Sequence, residues 1–450
     1  MDNLSHLRSE GDINLSPRRA AFQSTHLDDA TRALLAADAE VFLHQSLSTP
    51  CLNALQGCEG PYLEDLQGRR ILDFHGNSVH QVGFGHPKVK AAIAAQMEAL
   101  PFCTRRYTNA VAVELAQRLC ALVPGGPHKA LFAPGGTAAI GMALKLARYA
   151  TGRFKTISLW ESFHGASLDA ISLGGEAIFR QGVGPLLPGC EHAPPPEPIG
   201  CPFRCGDTCN AACADYIEYM LEREGDVAAV VAETVRCTPF IPPRDYWQRV
   251  RAACDKHGAL LILDEIPIGL GRTGRMFAVE HYGIAPDILV LGKGLGGGIM
   301  PLAALISRAE LDVAPERALG HYTHEKNPVA CAAALATLDI LEHDGALENA
   351  QHLGTRAHAA LETLRRRYPL VREVRGLGLL LGLVLTRADG SKAVDEAEAV
   401  MYAALRRGLS FKTTMGNILT LTPPLTLTEA QLDDAIAMLD ASLAEVTAGC

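Results

Sequence analysis

Lys293 is surrounded by glycines, in the run Gly-Lys-Gly-Leu-Gly-Gly-Gly from residue 292 to residue 298, directly after a short apolar stretch. Glycines carry no side-chain bulk, so a planar ligand can approach the lysine amine closely. A side-chain amine at such a place can attack a carbonyl carbon and form a Schiff base. On this run alone, a glycine-rich loop that cradles a phosphate is an equal alternative. The order differs, however, from the P-loop, in which the lysine follows the glycines and precedes Ser or Thr.

Asp264 is a second candidate for chemistry. It closes the apolar run 260–263, and this pattern predicts a carboxylate that emerges from a buried strand. A buried carboxylate is costly unless it meets a cation. The protonated ring nitrogen of a ligand is one such cation. An arginine such as Arg272, in a structural salt bridge, is the other.

Two further motifs follow apolar runs. Gly135-Gly136-Thr137 precedes a helical pattern, and the free amides at a helix N-terminus bind anions. The alternative is that these residues only cap the helix. The pair Phe163-His164 can stack an aromatic side chain on a flat ligand, or can be ordinary core packing.

These four motifs together supply what pyridoxal phosphate (PLP) requires of a protein. The cofactor needs a lysine for its imine, an anion for its pyridine nitrogen, backbone amides for its phosphate and flat or apolar side chains for its ring faces. We therefore predict a PLP enzyme. Lys293 forms the Schiff base and moves the proton, and Asp264 pairs with the ring nitrogen.

The elements that must position these residues alternate along the chain. Short apolar runs, often β-branched, predict strands over 130–134, 155–160, 227–233, 260–264, 288–291 and 302–307, with helices such as 137–149 and 247–257 between them. This alternation predicts an α/β fold with a large, doubly wound, mostly parallel sheet. Ligands bind beyond the carboxyl ends of such strands, where the motifs lie.

A length of 450 residues favours two domains. After residue 328 the pattern changes to helices over 329–343 and 351–368, a strand-like segment over 374–385 and further α+β sequence. We predict a large cofactor domain over 61–328 and a small α+β domain over 329–450. The N-terminal segment 1–60 is predicted to join the small domain.

Composition excludes several classes of protein. The net charge of −9 gives no basic field for nucleic acid or an anionic membrane. No apolar stretch approaches the ~18–20 residues of a membrane span. Residues 1–19 are polar and contain acids, unlike a secretory signal or a transit peptide. Thirteen dispersed cysteines favour reduced thiols and a cytoplasmic location.

Four of the cysteines, at positions 201, 205, 209 and 213, are evenly spaced. Structural zinc sites allow this local spacing but normally set two cysteine pairs well apart. Plain thiols are therefore favoured over a metal site, and no metal is predicted.

Several motifs in order resemble the class III aminotransferase family of fold-type I PLP enzymes. They are Asp-Glu-Ile at 264–266, Gly-Arg-Thr-Gly at 271–274, Lys293 itself and Asn-Pro-Val-Ala at 327–330. The resemblance extends from about residue 60 to about residue 434. It implies the fold and the cofactor predicted above.

The resemblance also implies roles for individual residues. Phe163 and Ile266 would pack against opposite faces of the cofactor ring, and Glu233 would lie near the ring hydroxyl and the substrate. Because the family builds its sites across a dimer interface, the resemblance implies a homodimer. The other implied cofactor-binding residues are Gly135, Gly136, Thr137, His164 and, from the partner subunit, Thr323.

Departures from the family pattern bear on the substrate. Thr420 stands where many members have an arginine that grips an α-carboxylate, unless the alignment slips there by a few residues. Arginines elsewhere would suit a phosphonate dianion, because they bind such groups through paired hydrogen bonds. The candidate substrate residues are Arg105, Arg106, Tyr107, Arg236, His75 and Asn77.

This combination resembles family members that are lyases and not transaminases. It implies release of ammonia from a small hydroxylated amine that bears a phosphonate. The alternative is an ω-aminotransferase that moves an amino group to a 2-oxo acid such as pyruvate. A PLP-binding regulator is disfavoured, because the chain has no basic helix-turn-helix segment.

Overall fold

The computed structural model describes residues 16–197, 201–205 and 209–448. The chain divides into two compact units. The large unit is Pro87–Leu347, and the small unit combines the described residues of Met1–His86 and Glu348–Cys450. The sequence pattern predicts domain borders at residues 60 and 328, whereas these units divide at residues 86 and 347.

Helices and strands alternate through most of the described residues. The helices are α1 (Pro17–His26), α2 (Asp29–Val41), α3 (Pro87–Ala99), α4 (Ala110–Leu122), α5 (Gly136–Thr151), α6 (Leu168–Leu173), α7 (Ala177–Arg180), α8 (Ala212–Glu224), α9 (Tyr246–His257), α10 (Pro328–His343), α11 (Ala346–Arg367), α12 (Val394–Arg406) and α13 (Glu429–Ala448). The strands are β1 (Leu55–Glu59), β2 (Tyr62–Asp65), β3 (Arg70–Asp73), β4 (His128–Ala133), β5 (Lys155–Leu159), β6 (Cys190–Ala193), β7 (Val227–Glu233), β8 (Leu260–Asp264), β9 (Ile288–Leu291), β10 (Ala303–Arg308), β11 (Val371–Leu377), β12 (Leu380–Leu385), β13 (Leu409–Ser410), β14 (Lys412–Thr414) and β15 (Ile418–Leu421).

The large unit contains one sheet in the order β4-β10-β9-β8-β7-β5-β6, called here the large sheet. Neighbouring strands from β9 to β6 are parallel, and β10 runs antiparallel to both β9 and β4. Strands β7, β8 and β9 are buried along their whole length, as expected of parallel strands covered on both faces. The predicted mostly parallel α/β fold is confirmed.

Helix α5 shows how the sequence positions a turn over this sheet. Its side chains Ile140, Ala143 and Ala147 belong to the same buried cluster as Val231 and Ile262 of the sheet. The helix ends at Thr151, and its C-cap Gly152 has φ 66°, a left-handed conformation that glycine adopts at little cost. Because β4 ends at Ala133 and α5 begins at Gly136, the first turn of α5 lies at the end of β4.

The small unit contains two sheets of four strands each among its described residues, β1-β2-β3-β13 and β11-β12-β15-β14. The prediction of a single strand-like stretch over 374–385 is wrong, because this segment contains parts of the two antiparallel strands β11 and β12. The chain reverses at Gly378, which has φ 57°, because a glycine tolerates this conformation and ends the strand.

Among the described residues, no helix is both long enough and apolar enough to span a membrane.

Candidate active site

Asp264 and Glu233 end neighbouring parallel strands in matching register. Asp264 is buried; its Oδ1 accepts the Ile266 amide at 2.9 Å, and its Oδ2 lies 2.8 Å from Nδ1 of His164. Glu233 is buried beside it. Two carboxylates thus lie at the carboxyl ends of the central strands of the large sheet, where the motifs were predicted to meet.

The loop after β5 connects these two carboxylates. The amide of Phe163 donates to Oε1 of Glu233 at 3.3 Å, and the next residue, His164, contacts Asp264. The other ring nitrogen of His164 lies 3.5 Å from Oγ of Ser158. This second contact fixes the plane of the imidazole, so the ring nitrogen Nδ1 stays directed at Asp264.

Lys293 begins a short 3-10 turn directly after β9 and is half-buried, with φ 46°. The glycine before it packs on Ile266, because a Cβ at Gly292 would lie 3.2 Å from Cγ2 of Ile266. On the other side, a Cβ at Gly136 would lie only 2.7 Å from Cδ1 of Ile266. Ile266 therefore lies between the lysine turn and the first turn of α5.

The first turn of α5 also meets the loop after β5. A Cβ at Gly165 would lie 2.3 Å from Oγ1 of Thr137, and Gly165 has φ 128°. The cap residue Gly135 has no side chain to accept the helix amides, so these amides remain suited to an anionic ligand. Glycines therefore surround Ile266, Thr137 and the lysine turn, so backbone and not side chains lies there. A flat ligand can approach such a surface, and its phosphate can reach the free amides of α5, so this arrangement fits a flat phosphorylated cofactor.

The chain matches the family model for class-III aminotransferases over residues 45–443. This chain belongs to the class-III aminotransferase family. The family predicted from the motifs is confirmed.

Individual family members resemble the chain over most of its length. It is 46% identical to an (R)-1-hydroxy-2-aminoethylphosphonate ammonia-lyase of Vibrio splendidus, over 98% of this chain and 96% of that protein. It is 36% identical to a leucine/methionine racemase of Thermococcus litoralis, over 86% of this chain and 89% of that protein. Among solved structures, an amine transaminase from an uncultivated Pseudomonas species, in a PLP-bound form, has a TM-score of 0.84 and 33% identity, covering 90% of this chain and 98% of the other.

Arg236 is the predicted substrate residue of this class-III chain that lies deepest in the large unit. Its Nη2 lies 3.1 Å from Oε1 of Glu176, and its Nε lies 3.6 Å from Oε1 of Glu233. All three side chains are buried. Arg236 is therefore already engaged by two carboxylates of its own chain.

The other candidate substrate residues of the large unit are exposed. Arg105, Arg106 and Tyr107 lie between α3 and α4, and Tyr107 is 71% exposed. Thr323 is exposed in the segment before α10. The two segments are joined, because Nδ2 of Asn109 donates to the carbonyl of residue 326 at 3.1 Å.

His75 and Asn77 lie in the small unit, in a loop after β3. Asp73 holds this loop by accepting the amide of His75 at 3.1 Å and that of residue 76 at 2.8 Å. Asn77 is exposed, with φ 47°. Burial raises the pKa of Asp73 to about 6. In the same unit, Oγ1 of Thr420 lies 2.7 Å from Oγ1 of Thr414.

Three residues near the strand ends of this class-III chain were not predicted. Glu176 pairs with Arg236, and Ser158 orients His164. Glu265 is buried and accepts the hydroxyl of Thr234 at 2.9 Å and the amides of residues 278 and 279, each at 2.7 Å. Burial raises the pKa of Glu265 to about 7. A carboxylate directly after two glycines was the available signal for Glu176.

The evenly spaced cysteines precede and enter α8. Sγ of Cys201 lies 3.5 Å from Sγ of Cys205, and Cys213 is buried. Burial raises the pKa of the Cys213 thiol to about 12. In the described part of the chain, no three or more His, Cys, Asp or Glu side chains are placed to hold a metal ion.

Proposed function

We propose that the chain is a PLP-dependent ammonia-lyase that converts (R)-1-hydroxy-2-aminoethylphosphonate to phosphonoacetaldehyde and ammonia. The observation that carries this proposal is the 46% identity, over 98% of the chain, to the ammonia-lyase of Vibrio splendidus. The departures of this chain from the usual aminotransferase pattern, above all Thr420 in place of a carboxylate-binding arginine, support a substrate without an α-carboxylate.

The convergent residues have separate tasks in holding the cofactor. The Lys293 amine would form the covalent link, and the carboxylate of Asp264 would keep a proton on the ring nitrogen. The amides at Gly136 and Thr137 would bind the phosphate, while Ile266 and Phe163 would pack against the ring faces. PLP, when bound, supplies an electron sink that makes the carbon next to the substrate amine acidic.

The reaction requires one proton to move and one group to leave. Once the substrate amine has taken its place in the covalent link, the freed Nζ of Lys293 would remove a proton from the amine-bearing carbon, and hydroxide would leave the neighbouring carbon that bears the phosphonate. The resulting enamine takes up a proton and then reacts with water, which releases ammonia and the aldehyde. The water that is lost and the water that is gained cancel, so ammonia is the net product besides phosphonoacetaldehyde.

The phosphonate requires cationic groups and hydrogen-bond donors. Arg105, Arg106 and Tyr107 are the exposed donors among the candidate substrate residues of the large unit, and an arginine side chain binds a phosphonate through paired hydrogen bonds. We propose a homodimer in which these residues and Thr323 face the partner's site; the exposure of Tyr107 and Thr323 supports such an interface. His75 and Asn77 remain candidate substrate residues, and the cytoplasmic location stays a prediction.

The test is ammonia release by the PLP-loaded protein from this phosphonate, with no amino acceptor present. Sustained release of ammonia and aldehyde, with an unchanged visible spectrum after turnover, is the expected result. A Lys293→Ala variant should release none, and the surface variant Arg249→Met should match the wild type. Loss of the visible band that pyruvate restores would instead identify an aminotransferase.

A further inference from the structure

Arg236 connects three segments near the predicted cofactor residues. Its backbone pairs with Phe240 just beyond β7, through hydrogen bonds of 3.1 and 3.3 Å. Its side chain, 5% exposed, lies against Glu176 before α7 and against Glu233 at the end of β7. Glu233 in turn accepts the amides of Phe163 at 3.3 Å and Cys237 at 3.2 Å.

The position of Glu233 makes its charge sensitive to this contact. Glu233 and Asp264 are register partners on parallel strands, whose spacing is about 4.8 Å. The two buried carboxyl side chains therefore leave adjacent strands at the same level, and like charges on such neighbours repel more strongly where water is excluded. Asp264 has the His164 ring as a donor, and Glu233 has the Arg236 guanidinium. Without that cation, the repulsion between the two carboxyl side chains would no longer be offset at Glu233, and the Glu233 side chain would lose a contact that fixes its position.

The charge of Arg236 itself is maintained by the same contacts. Burial alone would lower the pKa of the guanidinium, but the carboxylates of Glu233 and Glu176 more than offset this, so the pKa is raised. Glu176 is held independently of its side chain, since its amide and that of Gly175 both donate to the carbonyl of Ser162, at 3.3 and 2.8 Å. The loop after β5 is therefore fixed at Ser162 by these two amides. The next residue, Phe163, is fixed by the hydrogen bond from its amide to Glu233.

We infer that Arg236 is a positioning residue, which holds the side chain of Glu233 in place and thereby holds the Phe163–His164 loop against Asp264, and that it does not bind the substrate phosphonate. The Nη2 and Nε atoms of Arg236 face two buried carboxylates, so turning these atoms toward a phosphonate would leave both carboxylates without their cation. This inference rests on the proposed function for its kinetic part. Its structural part concerns the loop and the cofactor environment alone.

The test compares Arg236→Met, Arg236→Lys and the control Arg249→Met. Arg249 also pairs with two carboxylates, Asp215 and Asp245, but on an exposed surface. For Arg236→Met, we expect kcat for the phosphonate to fall roughly tenfold or more while KM stays within about twofold. The lysine variant should recover part of the loss, and the control should match the wild type.

Two readouts do not depend on turnover. In the PLP-loaded protein, removal of the cation should raise the midpoint of the pH titration of the visible absorbance band by roughly one pH unit. In hydrogen-exchange mass spectrometry, the peptide that contains Phe163 should exchange faster in Arg236→Met, because its acceptor Glu233 is no longer fixed. A merely structural role would leave the band midpoint unchanged.

The opposite pattern would overturn the inference. A KM for the phosphonate raised tenfold or more, with kcat, the band midpoint and the exchange of the Phe163 peptide unchanged, would make Arg236 a substrate-binding residue. If the wild type releases no ammonia, the proposed function fails, while the band midpoint and the exchange still decide the role of Arg236. If Arg236→Met does not fold, Arg236→Gln serves instead, because it also removes the cation: a rise in the band midpoint supports the inference, and none contradicts it.

Discussion

Several arginines of the large unit each contact a pair of carboxylates, and two of them, Arg236 and Arg249, lie in very different surroundings. Arg236 lies between Glu176 and Glu233 at the strand ends, and its side chain is 5% exposed. Arg249 lies between Asp215 and Asp245 on the face formed by α8 and α9, and its side chain is 40% exposed. The ion pairs are of the same kind, so burial is what distinguishes them.

On the α8–α9 face, water and salt screen the charges, and an ion pair contributes little to stability. At the strand ends the carboxylates have exchanged water for protein donors, so each depends on the particular side chain that faces it. The comparison indicates that an arginine on the exposed α8–α9 face can be lost because water takes over its contacts. An arginine at the buried strand ends cannot be lost without leaving carboxylates unpaired. Four substitutions test this difference.

Asp264→Asn should have the largest effect. The amide cannot hold a proton on the ring nitrogen of the cofactor, so kcat should fall on the order of a thousandfold, as when a charge-stabilising group is removed from a buried site. Asp215→Asn on the exposed face is the matched control and should leave kcat unchanged. Steady-state ammonia release measures both, and equal kcat values for the two variants would remove Asp264 from its proposed role.

Arg236→Met should destabilise the fold by about 3–5 kcal/mol, because it leaves two buried carboxylates without their cation. Arg249→Met should change the free energy of unfolding by less than about 1 kcal/mol. Urea denaturation with saturating PLP measures both variants. Similar losses at the two positions would show that burial does not decide the contribution of these ion pairs.

Glu265 should make stability depend on pH. Its pKa in the fold is raised from 4.5 to about 7 by burial, so its favourable contribution is complete below pH 4.5 and is lost as the pH rises through 7. Between pH 5 and pH 8, the wild type should therefore lose about 2–3 kcal/mol of stability relative to Glu265→Gln. Urea denaturation of both proteins at the two pH values gives this difference.

Glu218 on the exposed face should show the opposite sign. Its pKa is lowered by Lys256, so its contribution is present at neutral pH and lost as the pH falls through its folded-state pKa. Glu218→Gln should therefore lose stability relative to the wild type only at neutral pH and not in acid. A slope of the same sign for both glutamates would contradict the assignment of Glu265 as a carboxyl that the fold prefers neutral.

Gly165→Ala should have the smallest of the four effects. A Cβ there would meet Thr137 at 2.3 Å, so the predicted phosphate-binding turn must shift, and the affinity for PLP should fall roughly tenfold. Gly225, the cap of α8, also has positive φ but has nothing within 4 Å of a Cβ. Gly225→Ala should bind PLP as the wild type does. Spectroscopic titration of the cofactor-free proteins measures both affinities.

The sequence predicted the centre of the large sheet well. Strands β7, β8 and β9 have the predicted bounds, because fully buried parallel strands are uninterrupted apolar runs. Strand β6, with the sequence Cys-Glu-His-Ala, was missed, because it lies at the sheet edge and is too short and polar for such a pattern. Strands that are buried on one face or only in part have a weaker apolar pattern in the sequence, and they are harder to predict from it.

The pairing of charged residues could not be predicted in the same way. Arg236 was predicted to face the substrate because a local pattern does not report burial, and Glu176 is 60 positions away in the chain. The contact of His164 with Asp264 spans 100 positions. Such contacts depend on which strands become neighbours. The motifs therefore locate the carboxyl ends of the strands as the site, but they do not predict which side chains there donate hydrogen bonds to one another.

The position of β4 has a consequence for synthesis of the protein. In the large sheet, as far as the described residues form it, β4 is an edge strand that pairs with β10 alone, and β10 leaves the ribosome much later. At roughly 5–20 residues per second, β4 would wait on the order of ten seconds or more for its partner. During that time its backbone donors and acceptors are open to other chains. Nascent chains that stall before β10 should therefore be clients of chaperones, whereas chains released after it can close the sheet.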